Sequence, residues 1–380
     1  MRLLTTLLFS LVFVFSLSAQ KKAKDVLASI EAKQDKYAAI AMEIWNNPEL
    51  GYLEENSSKL LQTTLADAGF RIKTGIADIP TAFTAEFGSG YPVIAILGEF
   101  DALPGVSQKA IPHREAVVEG GSGQACGHHL FGTASTAASI AVKDWLTATG
   151  TKGTIRFYGT PAEEGGAGKV YISRAGALDD VDAVLHWHPS SRNGAGATST
   201  LANKSAKFRF YGEASHAAAS PERGRSALDA VESMNYMVNM LREHVPMETR
   251  IHYVITHGGE APNVVPAFAE AFYYVRNPDV ANVKTIFEKV VKAAEGAALG
   301  TNTEMKYEVI HGLYNVLPNE TLARIMHKNL ELVGGVEYSE EDKVFANEIL
   351  KTYPNVKVSL ESANQILKRS SHITIGLSDE

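Results

Sequence analysis

Three short apolar runs in the first half of this chain each end at carboxylates or imidazoles. Pro92 to Gly98 runs into Glu99-Phe100-Asp101, Thr154 to Tyr158 into Gly159-Thr160-Pro161-Ala162-Glu163-Glu164, and Ala183 to Leu185 into His186-Trp187-His188. Short continuous apolar runs bounded by turn residues read as buried strands. Ligand-type residues just past such strands belong to a site, because pockets in open α/β sheets gather at the carboxyl ends of the strands. The chain is therefore expected to build a layered α/β domain with its chemistry along one sheet edge. Scattered polar residues would not produce the pattern.

Between the first two of these strands lies Gly123-Gln124-Ala125-Cys126-Gly127-His128-His129-Leu130-Phe131-Gly132-Thr133, leading into an apolar stretch, Leu130 to Trp145, that reads as a helix. It holds the chain's only cysteine. A lone Cys makes no internal disulfide, so Cys126 is either a small buried hydrophobe or a residue kept for its thiolate. Its neighbours favour the second, since thiolate and imidazole on one turn are ligands that zinc and similar divalent ions take. In the Glu163-Glu164 pair the two side chains leave the backbone in different directions, so one can hold a metal while the other faces the substrate. His186 and His188 share a face with Trp187 on the other; one is read as a ligand and the other as its neighbour. Together the four clusters have the composition of a hydrolytic metal centre.

Residues 1–19 are set apart from the fold. Arg2 gives a positive start, Leu3 to Leu17 an apolar core, and Ser18-Ala19 before Gln20 small residues at a cleavage point, which together read as a secretory signal. The mature protein is expected to be secreted or periplasmic, with no membrane association once the signal is removed. Of 380 residues 45% are hydrophobic and 21% charged, which provides for large cores and two domains. A formal net charge of -7 without basic runs argues against nucleic acid as a partner. Ala23 to Asn46 and Ser57 to Ala68 carry apolar residues at helical spacing, and Phe83 to Phe87 is a further short strand.

After Asn203 the organisation changes. A strand from Ala206 to Tyr211, a helix from Ser226 to His244, strands at Ile251 to Thr256 and Ala269 to Val275, a helix from Ala281 to Ala298 and a strand from Met305 to Ile310 give the order β-α-β-β-α-β. This split βαβ arrangement can form its own four-stranded sheet with two helices on one face. It is expected as an inserted domain, residues 203–315, dividing a first domain of residues 20–202 and 316–380. Inside it His216 stands on a loop of small residues, and Arg276, at a strand end, is either a bidentate clamp for a carboxylate or a surface cation. Helices from Asn319 to Leu332 and Ser339 to Thr352 follow.

Gly98-Glu99-Phe100-Asp101-Ala102-Leu103-Pro104-Gly105, Ala125-Cys126-Gly127-His128, Pro161-Ala162-Glu163-Glu164-Gly165-Gly166, Trp187-His188-Pro189, Ser215-His216-Ala217 and Asn263-Val264-Val265-Pro266 stand in a recognisable order. In order and approximate spacing they resemble the aminoacylase/carboxypeptidase-type metallo-amidohydrolases, above all the aminobenzoyl-glutamate hydrolase B-subunit-like branch. The resemblance implies an aminopeptidase-like α/β catalytic domain with a mixed sheet and two divalent ions, zinc or manganese, plus a ferredoxin-like α+β lid that also forms a homodimer. It makes Cys126, His128, Glu164 and His188 metal ligands and Glu163 the general base. His216 stabilises the developing oxyanion, and Asn263 and Arg276 hold the substrate carboxylate. The implied substrate is an N-acyl or N-aroyl amino acid or a dipeptide-like amide, aminobenzoyl-glutamate or a related compound.

The chain departs from the family pattern at three places. Glu99-Phe100-Asp101 stands where some relatives carry His-x-Asp with an additional ligand, which leaves the role of Asp101 open. His129 replaces the Asp or Asn usual in this branch. The family continues for about another hundred residues past the equivalent of Glu380, a length in keeping with ordinary domain sizes, and takes its last metal-binding His from there, so the resemblance implies a truncated member. Two other readings are a Cys126–His128 nucleophile–base pair that needs no metal, and a catalytically silent homologue acting in binding or dimerisation.

Overall fold

The computed structural model describes residues 25–353, 355, 358–367 and 374–375. The expected secretory signal, residues 1–19, lies outside the described residues. The chain divides into two compact units, one running to Ser191 and taking in Tyr338–Val358, the other formed by Arg192–Glu337 with the chain from Ser359 onward.

In the first unit, residues 25–31 are helical. The chain continues through α1 (Gln34–Asn46), α2 (Glu55–Asp67), β1 (Arg71–Thr74), β2 (Phe83–Ser89), β3 (Val93–Gly98), α3 (His128–Thr149), β4 (Gly153–Gly159), α4 (Gly168–Arg174) and β5 (Ala183–Leu185). The strands form one sheet in the order β1-β2-β4-β3-β5. β3 pairs in parallel with β4 and β5, whereas β2 runs antiparallel to both of its neighbours, β1 and β4, so the sheet is mixed as expected. β3 is apolar throughout because both of its faces are covered. Ile94 and Ile96 pack on one side with Ile44, Leu61, Phe157 and Ile140, while Ala95 and Leu97 pack on the other with Tyr158 and Ile172. α1 buries Tyr37, Ile40, Ala41 and Ile44, one stripe at helical spacing. α3 presents small residues, Gly132, Ser135, Thr136 and Ser139, and so approaches the sheet closely. A Cβ on Gly132 would stand 2.6 Å from the carbonyl oxygen of Glu99.

The second unit contains β6 (Ala202–Tyr211), α5 (Ala227–Leu241), β7 (Arg250–His257), β8 (Phe268–Asn277), α6 (Val280–Thr301) and β9 (Glu304–Leu313). Its four-stranded sheet has the order β9-β6-β8-β7, with every neighbouring pair antiparallel. This is the expected ferredoxin-like arrangement. Alternation along β6 and β8 sends Ala206, Phe208, Phe210, Ala271, Tyr273 and Val275 to one face, where Ala230, Val231 and Met234 of α5 and Ile286, Phe287 and Val290 of α6 cover them. Ser226 caps α5 by accepting from the Asp229 amide, and Asp279 caps α6 by accepting from Ala281. α7 (Glu320–Val333) follows in this unit, opened by the Asn319 side chain. α8 (Glu340–Lys351) belongs to the first unit and begins with a Ser339–Asp342 capping box. Among the described residues no helix is long and apolar enough to cross a membrane.

Candidate metal centre

Parallel pairing in register decides which side chains meet. Gly98 of β3 lies opposite Gly159 of β4, and Ile96 lies opposite Leu185 of β5. The three strands therefore end together, and Glu99-Phe100-Asp101, the Glu163-Glu164 turn and His186-Trp187-His188 emerge along one edge. α3 starts at the same edge. Its first residue, His128, follows Gly127, whose φ of 84° suits a residue without a Cβ. Gln124 ties this turn down, donating to the Phe100 carbonyl (3.3 Å) and accepting the His129 amide (3.1 Å).

His128 is fully buried at the centre of the cluster. Its Nδ1 is 3.0 Å from Asp101 Oδ1 and 3.1 Å from the Asp101 carbonyl oxygen. Both oxygens are acceptors, so Nδ1 carries a proton, and a bound cation would take the place of the proton on Nε2. That Nε2 lies 3.0 Å from Glu99 Oε2 and 3.9 Å from Glu163 Oε2. Cys126 Sγ sits 3.4 Å from His188 Nε2, and His188 Nδ1 donates to the Pro189 carbonyl at 2.8 Å. Asp101 also acts through its other oxygen, Oδ2, which accepts the Glu164 amide at 2.9 Å. The role left open by the sequence is thus to orient one expected ligand and fix the backbone of another.

Two groups of donor atoms, Cys126/His128/His188 and Glu99/His128/Glu163, each lie within 4.8 Å of one another. His128 has one lone pair to give, so the two groups form one continuous donor set rather than two separate cages. Glu164 Oε1 beside it is buried with no hydrogen-bond partner, and Glu99 Oε2 and His128 Nε2, 3.0 Å apart, meet as an ion pair without hydrogen-bond geometry. Buried polar atoms without partners are costly, and a divalent cation would satisfy these. A mixed sulfur, nitrogen and oxygen donor set fits zinc and is open to manganese. The residues present therefore fit the expected metal.

Charges in the cluster are strongly coupled. Burial pushes the Glu99 carboxyl up, but the Lys169 ammonium bonded to it, His186 and His128 overrule this and hold it down to about 2. Burial would lower His128, yet its bonds to Asp101 and Cys126 and the charge of Glu99 raise it to about 11 without a cation. Glu163 is raised to about 7, first by burial and then by Glu99. Glu164 is raised by burial, against the lowering effect of Cys126 and His128. His129 turns away from the cluster onto the Trp45 ring, 5.0 Å between centroids, and burial lowers it to about 4.

Of the residues singled out in the sequence, Cys126, His128, Glu163, Glu164 and His188 are brought together in the first unit. His216, Asn263 and Arg276 lie in the second. There His216 bridges to Val264, Ala217 donates to the Asn263 carbonyl at 3.0 Å, and Arg276 stacks over Tyr274 at 4.7 Å. His216 Nδ1 accepts the amides of Ala218 (3.2 Å) and Ala219 (3.1 Å), which leaves the proton on Nε2, the tautomer of a hydrogen-bond donor. Sequence reasoning missed Lys169, which bonds Glu99 from α4. The Gly-rich run before it, Gly165-Gly166-Ala167-Gly168, has no periodicity that would place it.

A mixed α/β sheet whose parallel strands end in clustered thiol, imidazole and carboxylate side chains has the layout of a hydrolase with a candidate metal-binding site. Comparison with known proteins specifies it. The M20 peptidase dimerisation domain matches residues 199–302. The chain is 47% identical over 326 residues to the B-subunit of p-aminobenzoyl-glutamate hydrolase from Escherichia coli, covering 85% of this chain and 68% of that protein. It is 31% identical over 329 residues to the Xaa-Arg dipeptidase of Mus musculus, covering 83% and 72%. An aminobenzoyl-glutamate utilization protein from Klebsiella pneumoniae shares the fold with a TM-score of 0.63 at 17% identity, over 80% of this chain and 83% of that one. A dinuclear metal binding peptidase of the M20 family from Bacillus subtilis aligns with a TM-score of 0.52 at 23% identity, over 77% and 78%. The chain belongs to the M20 family of metallopeptidases and amidohydrolases, and it is a hydrolase of that family.

Proposed function

We propose that this protein hydrolyses the amide bond of an N-acyl or N-aroyl amino acid or a dipeptide-like substrate, with aminobenzoyl-glutamate or a close relative as the substrate class. Cys126, His128, Glu164 and His188 hold the cations, two per site, zinc or manganese. When bound, these cations polarise the amide carbonyl and make water nucleophilic near neutral pH. Glu163 takes the proton from that water and passes it to the leaving amine, a role suited to a carboxylate whose burial brings it to about 7. Asp101 keeps His128 in the tautomer that presents Nε2. His216 donates from Nε2 to the developing oxyanion, and Asn263 and Arg276 hold the substrate carboxylate. The second unit serves as lid and as the contact of a homodimer, and the protein works outside the cytoplasm after loss of its first residues.

The observation that supports this reading best is the placing of Glu163 Oε2 3.9 Å from His128 Nε2, within a group of possible metal-ligating atoms and beside the buried, unpartnered Glu164 Oε1. Its test is Glu163→Gln assayed on aminobenzoyl-glutamate and a small panel of acyl-amino acids. Turnover should fall by about 10²- to 10⁴-fold while metal content is kept. Undiminished turnover would refute the role of base. Prolonged chelation should abolish activity; activity that survives it and is lost to a thiol alkylator would instead favour Cys126 as a nucleophile.

A further inference from the structure

The turn that carries both carboxylates is held by a loop far away in sequence. Ala162 adopts a left-handed backbone (φ 57°, ψ 45°), Glu164 has ψ 45° and Gly165 φ 119°, so no regular helical bonding sustains Glu163–Gly166. A left-handed conformation is unfavourable for a residue with a Cβ and persists where surrounding contacts enforce it. Those contacts come from Gly51, Tyr52 and Glu54. Glu54 Oε1 accepts the Ala162 amide at 2.7 Å, and its Oε2 accepts the Thr81 hydroxyl at 3.0 Å. The Tyr52 hydroxyl donates to the Gly166 carbonyl at 2.6 Å. Gly51 lies so close that a Cβ on it would stand 2.9 Å from Ala162 Cα. On the other side Asp101 Oδ2 takes the Glu164 amide.

We infer that Glu54 is a positioning residue of the centre: with Tyr52 it forms a clamp that sets the directions of the Glu163 and Glu164 carboxylates. Glu54 is fully buried, and both of its oxygens are engaged, one by the Ala162 amide and the other by the Thr81 hydroxyl. A purely apolar side chain would fill the same space without desolvating a carboxylate, but it would leave the Ala162 amide unpaired and the left-handed turn unenforced. The clamp fixes the turn at three points: Glu54 at its entry, Asp101 at its middle and Tyr52 at its exit. The inference rests on Glu163 as base and Glu164 as ligand.

The test compares Glu54→Ala, Glu54→Gln and Tyr52→Phe by calorimetric titration of the metal-free protein with Zn²⁺, by kcat and KM on aminobenzoyl-glutamate, and by melting temperature. Glu54→Ala is expected to lose about 10- to 100-fold in zinc affinity and in kcat, with KM changed by no more than about twofold. Glu54→Gln, whose amide oxygen can still accept from Ala162, restores most of that loss. Tyr52→Phe loses about three- to tenfold in both quantities. A Glu54→Ala protein with wild-type zinc affinity and kcat, and only a lower melting temperature, overturns the inference. Should Glu54→Ala not fold, Tyr52→Phe decides alone, and unchanged zinc affinity and kcat in it overturn the inference equally. Zinc affinity also separates this inference from the assignment of Glu163: an active Glu163→Gln would remove the base while leaving the affinity loss in Glu54→Ala as the mark of the clamp.

Discussion

Glu54 is a buried acid, and it makes a prediction about stability of known sign. Burial raises its carboxyl from 4.5 to about 7 in the folded chain, against the lowering bonds from its own backbone amide and from Ala162. Below pH ~4.5 folded and unfolded chains both hold the proton. Between that value and about 7 the unfolded chain releases it while the folded chain keeps it, so stability falls as pH rises, and above that window the loss is complete. For the metal-free protein the fall from Glu54 is on the order of 3 kcal/mol. Glu163, raised similarly, adds a fall of the same sign. Urea unfolding at pH 5 and pH 8 checks this: Glu54→Gln should show a distinctly smaller fall than wild type, and equal falls would contradict the burial argument. Lys169 gives a second test. Replacing it with Met leaves the Glu99 carboxylate buried beside His186 and His128 without its ammonium, and should lower the stability of the metal-free protein by about 3 kcal/mol and tighten zinc binding, because no ammonium then competes with the cation for Glu99. Unchanged urea midpoints and zinc titrations would show that the pair has no such role. Neither Glu54 nor Lys169 stood out in the sequence. Glu54 meets Ala162 across 108 residues, and nothing local in either segment records the meeting. Cys126, His128 and the two glutamates were legible because each follows a strand or opens a helix.

At the scale of elements, the close seat of α3 on the end of β3 aims the Cys126–His128 turn. Gly132→Ala would place a Cβ 2.6 Å from the Glu99 carbonyl oxygen, so the helix must lift. A loss of about 1–3 kcal/mol is expected, with reduced zinc occupancy, measured by urea unfolding and metal analysis. Gly300→Ala, in α6 where a Cβ meets nothing within 4 Å, should be neutral or stabilising by up to about 1 kcal/mol. Equal effects at the two sites would deny that close packing decides the first. Most elements could be read from hydrophobic period: β3 and β4 are apolar because both faces are covered, and α5 and α6 repeat at helical spacing. β1, Arg-Ile-Lys-Thr at the sheet edge, could not be, since an edge strand with only Ile72 half-buried among exposed residues shows no alternation. The seven-residue α4 escaped for a different reason: it is set by the glycines before it and by contact with the sheet.

Across the whole molecule, the buried clusters separate by unit. The Phe208–Tyr273–Phe287 core draws only on the second unit, whereas the clusters around Phe157 and Tyr158 and every member of the donor set belong to the first. A cation bound to the folded first unit adds stability there by mass action. Calorimetric scans with and without chelator should therefore show the chelator lowering one unfolding transition and leaving a second in place. A single transition that moves as a whole would contradict independent cores. The order β-α-β-β-α-β made the second unit legible as a fold of its own. The first of the three passages between units runs through Pro189-Ser190-Ser191-Arg192-Asn193-Gly194, a polar loop whose composition does not say where one core stops.

The convergence of Cys126, His128, Glu164 and His188 on bound cations is tested most directly by X-ray absorption at the zinc edge of the zinc-loaded protein. A sulfur scatterer is predicted at about 2.3 Å beside nitrogen and oxygen at about 2.0–2.2 Å, with the sulfur lost in Cys126→Ser. A first shell of nitrogen and oxygen alone in the wild-type protein would contradict that convergence.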